Sequence, residues 1–311
     1  MQDFINYLES KNHSQTTQRA YLRNVNLFLA WFNGEIINVI KKDILKYLEH
    51  LQNKKQQQNI TRRNALISLN HYFAFLVSNQ QATTNPTALI KIRGTHKRHL
   101  YNIYTSEELQ TLYDNYYHTF IRNYTDNHIP QNQRPQSTLS RQRNYIMLGL
   151  LINQGLSTNE LQPITINDID INKGTIKIIA NKKSNQRTLQ LKASQIGAII
   201  NYIENIRPKF FVFCEETDKL FFALPESSKQ KTNATNLMHT FKPLTKQVKS
   251  IDKNLLNFKQ IRASVITGWL KIDGLRKAQY NAGHRYISST ETYLPNDIDG
   301  LIDDIAKFNP F

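Results

Sequence analysis

Residues 174–191 read GTIKIIANKKSNQRTLQL. Residues 174–180 and 187–191 have the length and β-branched, alternating character of short strands. The polar run Asn181-Lys182-Lys183-Ser184-Asn185-Gln186 between them suits a hairpin connection. Apolar residues elsewhere recur at helical spacing. The hairpin therefore sets the class as mainly α: an all-helical N-terminal domain, then a mixed α+β, mostly helical domain with a small antiparallel sheet.

Upstream, Ser14 or Thr16 can cap a helix that ends before Gly34, with Tyr21, Val25, Phe28 and Phe32 on one face. Ile44, Leu45, Leu48 and Leu51 mark a second helix, and Thr61 can open a third carrying Leu66, Leu69, Phe73 and Leu76. Asn85-Pro86 ends this block. A basic run from Lys91 to His99 follows, and Thr105 with Glu108 forms a capping box that opens the second domain. The expected divisions are a helical domain at 1–90, a linker at 91–104 and a larger domain at 105–311. The linker reads equally as a solvated connector or as a segment lying along a phosphate backbone. Residues 123–142, with Pro130 and Pro135, read as a loop or insertion, and Ile146 to Leu156 as an apolar helix. Residues 297–311 carry Ile298, Leu301, Ile302, Ile305 and Phe308 at helical spacing, which predicts a small tail helix for its own domain or for a neighbour.

At 311 residues the chain can build two cores. It carries 40 Lys+Arg against 24 Asp+Glu, a net charge of +16. Such a surplus favours a polyanion, nucleic acid before a membrane surface. The first 100 residues hold 14 Lys+Arg and 5 Asp+Glu, so they are the more basic part per residue. Lys41, Lys42, Arg62, Arg63, Arg93, Lys97 and Arg98 are the expected phosphate contacts there, with Lys183 from the hairpin. No apolar run approaches the roughly 20 residues a membrane helix needs. Met1 opens into a polar segment, and Cys214 is the single cysteine. A cytoplasmic protein without disulfides or a cysteine-based zinc site is expected.

Downstream of the hairpin come Lys259-Gln260-Ile261-Arg262, then Ala282-Gly283-His284, then Tyr293 nine residues beyond the histidine. These types suit attack of a tyrosine on a phosphodiester. An arginine fork matches two phosphate oxygens. A phenol, with an ordinary pKa near ~10, works best beside cations. A lysine at the hairpin tip, Lys182, can protonate a leaving oxygen. With 15 tyrosines in the chain, Tyr293 alone would carry little weight; the ordered set carries it.

These segments resemble the tyrosine recombinases of the phage-integrase type over essentially the whole chain. Gly155-Leu156-Ser157-Thr158-Asn159-Glu160-Leu161 is similar to that family's first box, Gly-Leu-Arg-x-x-Glu-Leu. Lys259-x-x-Arg262 resembles the second box, and Ala282-Gly283-His284 its Leu-Gly-His. The resemblance implies a core-binding domain, a catalytic domain and Tyr293 as nucleophile. It makes Lys182 the general acid, with Lys183 the less favoured occupant. Arg262, His284 and Lys259 would hold the phosphate, with Glu160 in support. It implies no cofactor or metal, double-stranded DNA as partner and a homotetramer on two DNA sites. A monomer without DNA, and accessory DNA-bending proteins, are compatible with it. The expected setting is the integrase of a mobile genetic element, with the two domains clamping a duplex.

One departure is serious: Ser157 stands where the first box has arginine. A hydroxyl brings no positive charge, and loss of such a contact costs about 10²–10³-fold in rate. Another arginine can fill the gap, from Arg141 or Arg143 at the start of the apolar helix. Arg143 is the first choice, because Asn144 and Tyr145 after it already look helical. The alternatives are a weakened or non-cutting DNA-binding protein on the same fold, or a type IB topoisomerase-like enzyme. Lys259 keeps the second-box charge but loses the imidazole's proton-accepting ability near neutral pH.

Overall fold

The computed structural model describes residues 1–94, 101–181, 184–224 and 237–294. The chain divides into two compact units, residues 1–99 and 100–311.

The first unit contains α1 (Gln2–Ser10), α2 (Gln15–Trp31), α3 (Lys41–Asn53) and α4 (Asn59–Ser78). Ser14 caps α2, its side chain accepting from Thr17 N. Helix α4 starts two residues before the expected Thr61, after Gln58. It lies at the centre of the unit, burying Ala65, Leu66, Leu69, Tyr72, Phe73, Phe75 and Leu76 among Phe4, Leu8, Phe28 and Leu48 of the other helices. Phe28 meets the edges of Tyr47 and Phe73 at 5.0 and 6.2 Å. Of the residues that mark α3, Leu45 is exposed, and Tyr47 takes an inward place. Helix α1 had no reading of its own in the sequence; Phe4 and Leu8, one turn apart, bring it onto α4.

The second unit opens with α5 (Ser106–Tyr117), whose capping box forms as expected: Thr105 N donates to Glu108 Oε2 at 2.7 Å and Glu108 N to Thr105 Oγ1 at 3.2 Å. Helix α6 (Arg134–Asn153) is longer than the sequence suggested. Pro135 lies in its first turn, where a missing N–H costs nothing; the expected loop therefore ends at Gln133, not at residue 142. Beyond α6 come α7 (Thr158–Leu161) and a three-stranded antiparallel sheet of β1 (Ile169–Asp170), β2 (Thr175–Ile178) and β3 (Arg187–Gln190). In the register, Ile176 faces Leu189 and Ile178 faces Arg187. Then follow α8 (Ala193–Asn201), α9 (Met238–Ile251), α10 (Phe258–Ala282) and α11 (Ile287–Glu291). Residues of α5, α6, β2, β3, α9 and α10 share one core. Among the described residues no helix is long and apolar enough to cross a membrane. The tail helix expected at 297–311 lies outside the described residues, as do Lys97, Arg98, Lys182 and Lys183.

Candidate active site

Four chain segments converge at the end of α6. The chain leaves α6 through Gly155, at φ 57°, where a Cβ would come within 2.8 Å of Trp269. That turn delivers Ser157 and Glu160 at the start of α7. Arg262 arrives one turn into α10. The loop after α10 brings Gly283 and His284, and β3 brings Arg187.

Glu160 is the hub. It is 2 % exposed. Its Oε1 pairs with Arg187 Nη1 at 2.7 Å, and its Oε2 with Arg262 Nη1 at 3.2 Å. Ser157 N and Oγ both donate to Oε2 at 2.8 Å. Burial would raise the Glu160 pKa, but the Arg262 and Arg187 charges and the Ser157 hydrogen bond hold it below the usual carboxylate range. Arg262 also donates from Nη1 to Gly155 O, and from Nη2 to Ala282 O at 2.7 Å. These bonds tie α10 to both neighbouring loops and fix the direction of the guanidinium.

Arg187 is the residue the sequence reading missed. Its Nε donates to Asn281 O at 2.7 Å, and its side chain is sealed from solvent. Strand alternation was the available signal. With period two, Arg187 shares the inner face with Leu189 and Leu191, and the observed burial alternates that way. An arginine on an inner face requires a partner, and Glu160 is that partner.

His284 sits half-buried. Its Nδ1 is 2.9 Å from Thr290 Oγ1, a contact from α11 that was not anticipated. Burial first, then the charges of Arg262 and Arg187, push its pKa down to about 4 against a weaker opposing effect of Glu160. The ring is therefore neutral at pH 7. Tyr293, half-buried in the turn after α11, stacks on it with ring centroids 5.7 Å apart and planes inclined by 13°. Lys259 is exposed in the first turn of α10, one turn before Arg262, with its N–H capped by Asn257 Oδ1 at 2.9 Å. Among the described residues no group of three or more His, Cys, Asp or Glu is arranged to hold a metal ion.

Arg143 is not part of this cluster. It is 3 % exposed, with Nη1 donating to Phe222 O at 2.8 Å and Nη2 to Asn144 Oδ1 at 3.0 Å. Burial pushes its pKa down to about 10. The helical direction that Asn144 and Tyr145 set carries it toward Phe222 and Tyr202 instead of toward Glu160. Arg141 is likewise committed, pairing with Asp126 at 3.0 Å and lying 3.6 Å over the Tyr124 ring.

In the first unit, Lys41 and Lys42 are exposed at the N-terminus of α3. Arg62 and Arg63 are half-buried near the start of α4, and Arg62 donates to Asn59 Oδ1 at 3.2 Å. Arg93 is exposed.

Residues 127–298 match the model of the phage integrase family, and residues 1–80 match that of the phage integrase N-terminal SAM-like domain. The chain belongs to the phage integrase family, the tyrosine recombinases. Tyrosine recombinase XerD of Halalkalibacterium halodurans is 24 % identical over 327 residues, covering 100 % of this chain and 97 % of the relative. The TnP I resolvase of Bacillus thuringiensis is 23 % identical over 304 residues, covering 95 % of each. Among solved structures, the XerH site-specific recombinase bound to a palindromic difH substrate as a post-cleavage complex matches with a TM-score of 0.67 at 17 % identity, covering 95 % of this chain and 81 % of that one. The fold is that of a tyrosine recombinase.

Proposed function

We propose that this chain is a site-specific DNA recombinase that cuts and rejoins duplex DNA through a 3′-phosphotyrosyl intermediate. The observation that carries the reading is the stack of Tyr293 on His284 beside two guanidiniums held by one carboxylate. Tyr293 Oη forms the new bond to phosphorus, and the bond from phosphorus to the 5′ oxygen breaks. The leaving oxygen takes a proton from Lys182, or less favourably Lys183. The phenol proton passes to a base, for which the neutral imidazole of His284 is adjacent. Arg262 and Lys259 neutralise the non-bridging oxygens, whose charge is best met by donors already in position. The broken phosphodiester's energy stays in the phosphotyrosine, so rejoining needs no nucleotide.

Tyr293 stacks on a histidine of its own chain, which supports cleavage within one protomer. Exchange between two sites then calls for four protomers, as the resemblance implies. Lys41, Lys42, Arg62, Arg63, Arg93, Lys97 and Arg98 supply phosphate contacts in this reading, with Lys183.

The test uses nicked duplexes cut from the DNA flanking the gene. The full chain should form an SDS-stable adduct that Tyr293→Phe abolishes. No adduct on any of these duplexes favours the non-cutting DNA-binding protein, the reading that Ser157 supports. Relaxation of supercoiled DNA without site dependence points to the type IB topoisomerase chemistry.

A further inference from the structure

The site described so far has an unused donor. Arg187 Nη2 is buried and has no hydrogen-bond partner among the described residues. A buried guanidinium N–H left unmatched is costly, and such a group in a native structure calls for an explanation. The other nitrogens of Arg187 are taken, Nε by Asn281 O and Nη1 by Glu160. Nη2 therefore belongs to a fork whose orientation is already fixed.

Charge leads to the same place. Among the described residues, Glu160 is the one carboxylate paired with either Arg187 or Arg262. Two guanidiniums against one carboxylate leave a surplus of one positive charge in a largely dehydrated cluster. The surplus is felt at His284, whose protonation both guanidiniums oppose. A phosphodiester carries the one negative charge that would cancel it. Ser157, in contrast, spends its hydroxyl and its N–H on Glu160 Oε2. It keeps the carboxylate in position and offers nothing cationic.

We propose that Arg187, on strand β3, is the second phosphate-binding arginine of this enzyme and takes over the role that Ser157 cannot fill. A guanidinium on the hairpin, paired with Glu160, supplies the positive charge that Ser157 lacks. This inference rests on the recombinase reading above. In the DNA-free chain Nη2 is sealed from solvent, so a phosphate oxygen reaches it only when its cover shifts. Gly283 lies against the guanidinium. Residues 283–284 meet the hairpin through Asn185 N to Gly283 O, at 2.8 Å, and the Ser184–His284 bridge.

The test compares full-length Arg187→Ala, Arg187→Lys and the swap Ser157→Arg/Arg187→Ala with the parent, on the duplex where the parent forms its adduct. A parent that forms none defeats the recombinase reading first, and the comparison is not reached. With an active parent, Arg187→Ala should slow adduct formation about 10²–10³-fold, and the swap should recover at least tenfold. A second substrate carries a neutral methylphosphonate at the scissile position, where no non-bridging charge remains. On it the gap between parent and variant should shrink to a few fold, an effect that a purely structural arginine would not produce. Arg187→Lys keeps a charge and stem bulk, and replaces Arg187→Ala in both assays if thermal melting finds the alanine variant unfolded. Cutting within threefold of the parent, or an equal loss on both substrates, overturns the proposal.

Discussion

Arg187 occupies the space that a side chain on Gly283 would need. A Cβ at residue 283 would run into Nη1, Cζ and Nε of Arg187, and Gly283 itself sits at φ 71°. The guanidinium cannot swing away cheaply, because Glu160 and Asn281 O hold it. Gly283→Ala therefore combines a left-handed backbone strain of about 1–2 kcal/mol with displacement of an ion-paired arginine. The melting temperature should fall, and adduct formation should fall further than the stability loss explains. Both are read from thermal denaturation and the nicked-duplex assay on one preparation.

Removing the hub should be worse for the fold than removing either spoke. Glu160→Gln keeps the shape but leaves Arg187 and Arg262 near each other with no counter-charge. Breaking a buried ion pair this way costs about 3–5 kcal/mol, measurable as a drop in the urea midpoint. Added inorganic phosphate should restore part of that midpoint in Glu160→Gln, and more than it raises the parent's. Equal phosphate responses would mean that the two guanidiniums do not share an anion site.

How much of this was legible beforehand divides along physical lines. The helical N-terminal block, the Thr105 capping box and the β2–β3 hairpin follow from short-range patterns, and each was readable from local spacing. The site cluster was readable only as an ordered set of residue types. Arg143 failed as a candidate because helical direction alone does not say which side of α6 meets the site. Its side chain turned toward Phe222 O, a contact 79 positions away. Arg187 is hidden for a related reason: its partner Glu160 lies 27 positions upstream, and strand alternation places it inward without naming that partner. Pro135 reads as a loop marker in the sequence, although proline is equally at home in a first helical turn.

Charge at the N-terminal unit should act additively and without sequence preference. Lys41 and Lys42 are exposed where α3 begins, so both ammonium groups are free to meet a phosphate backbone. If each meets one phosphate, the slope of log K against log salt should flatten by about 0.9 per lysine removed. Lys41→Ala/Lys42→Ala should then lower the slope magnitude by about 1.8, to the same extent on cognate and random duplexes. Fluorescence anisotropy across a salt series measures it, and an unchanged slope removes both residues from the contact set.

His284 should report on the occupancy of the site through its proton. Its pKa in the folded chain is about 4, held down by burial first and then by Arg262 from α10 and Arg187 from β3, with Glu160 of α7 opposing. The unfolded chain protonates the same imidazole near the ordinary value of about 6.5. Between those two values the unfolded state binds the extra proton, so stability falls as pH drops from about 6.5 to about 4 and is unaffected by this group above that window. His284→Gln should flatten the dependence there, read from urea midpoints at several pH values. An anion between the guanidiniums cancels part of the positive potential at the ring. Inorganic phosphate should therefore raise the His284 pKa by about one unit, followed by NMR through the imidazole Cε1 proton. In Arg187→Lys that rise should shrink, because a lysine presents one charge without the fork that captures two oxygens. A phosphate-induced rise that is the same with lysine at 187 would assign the anion to Arg262 alone.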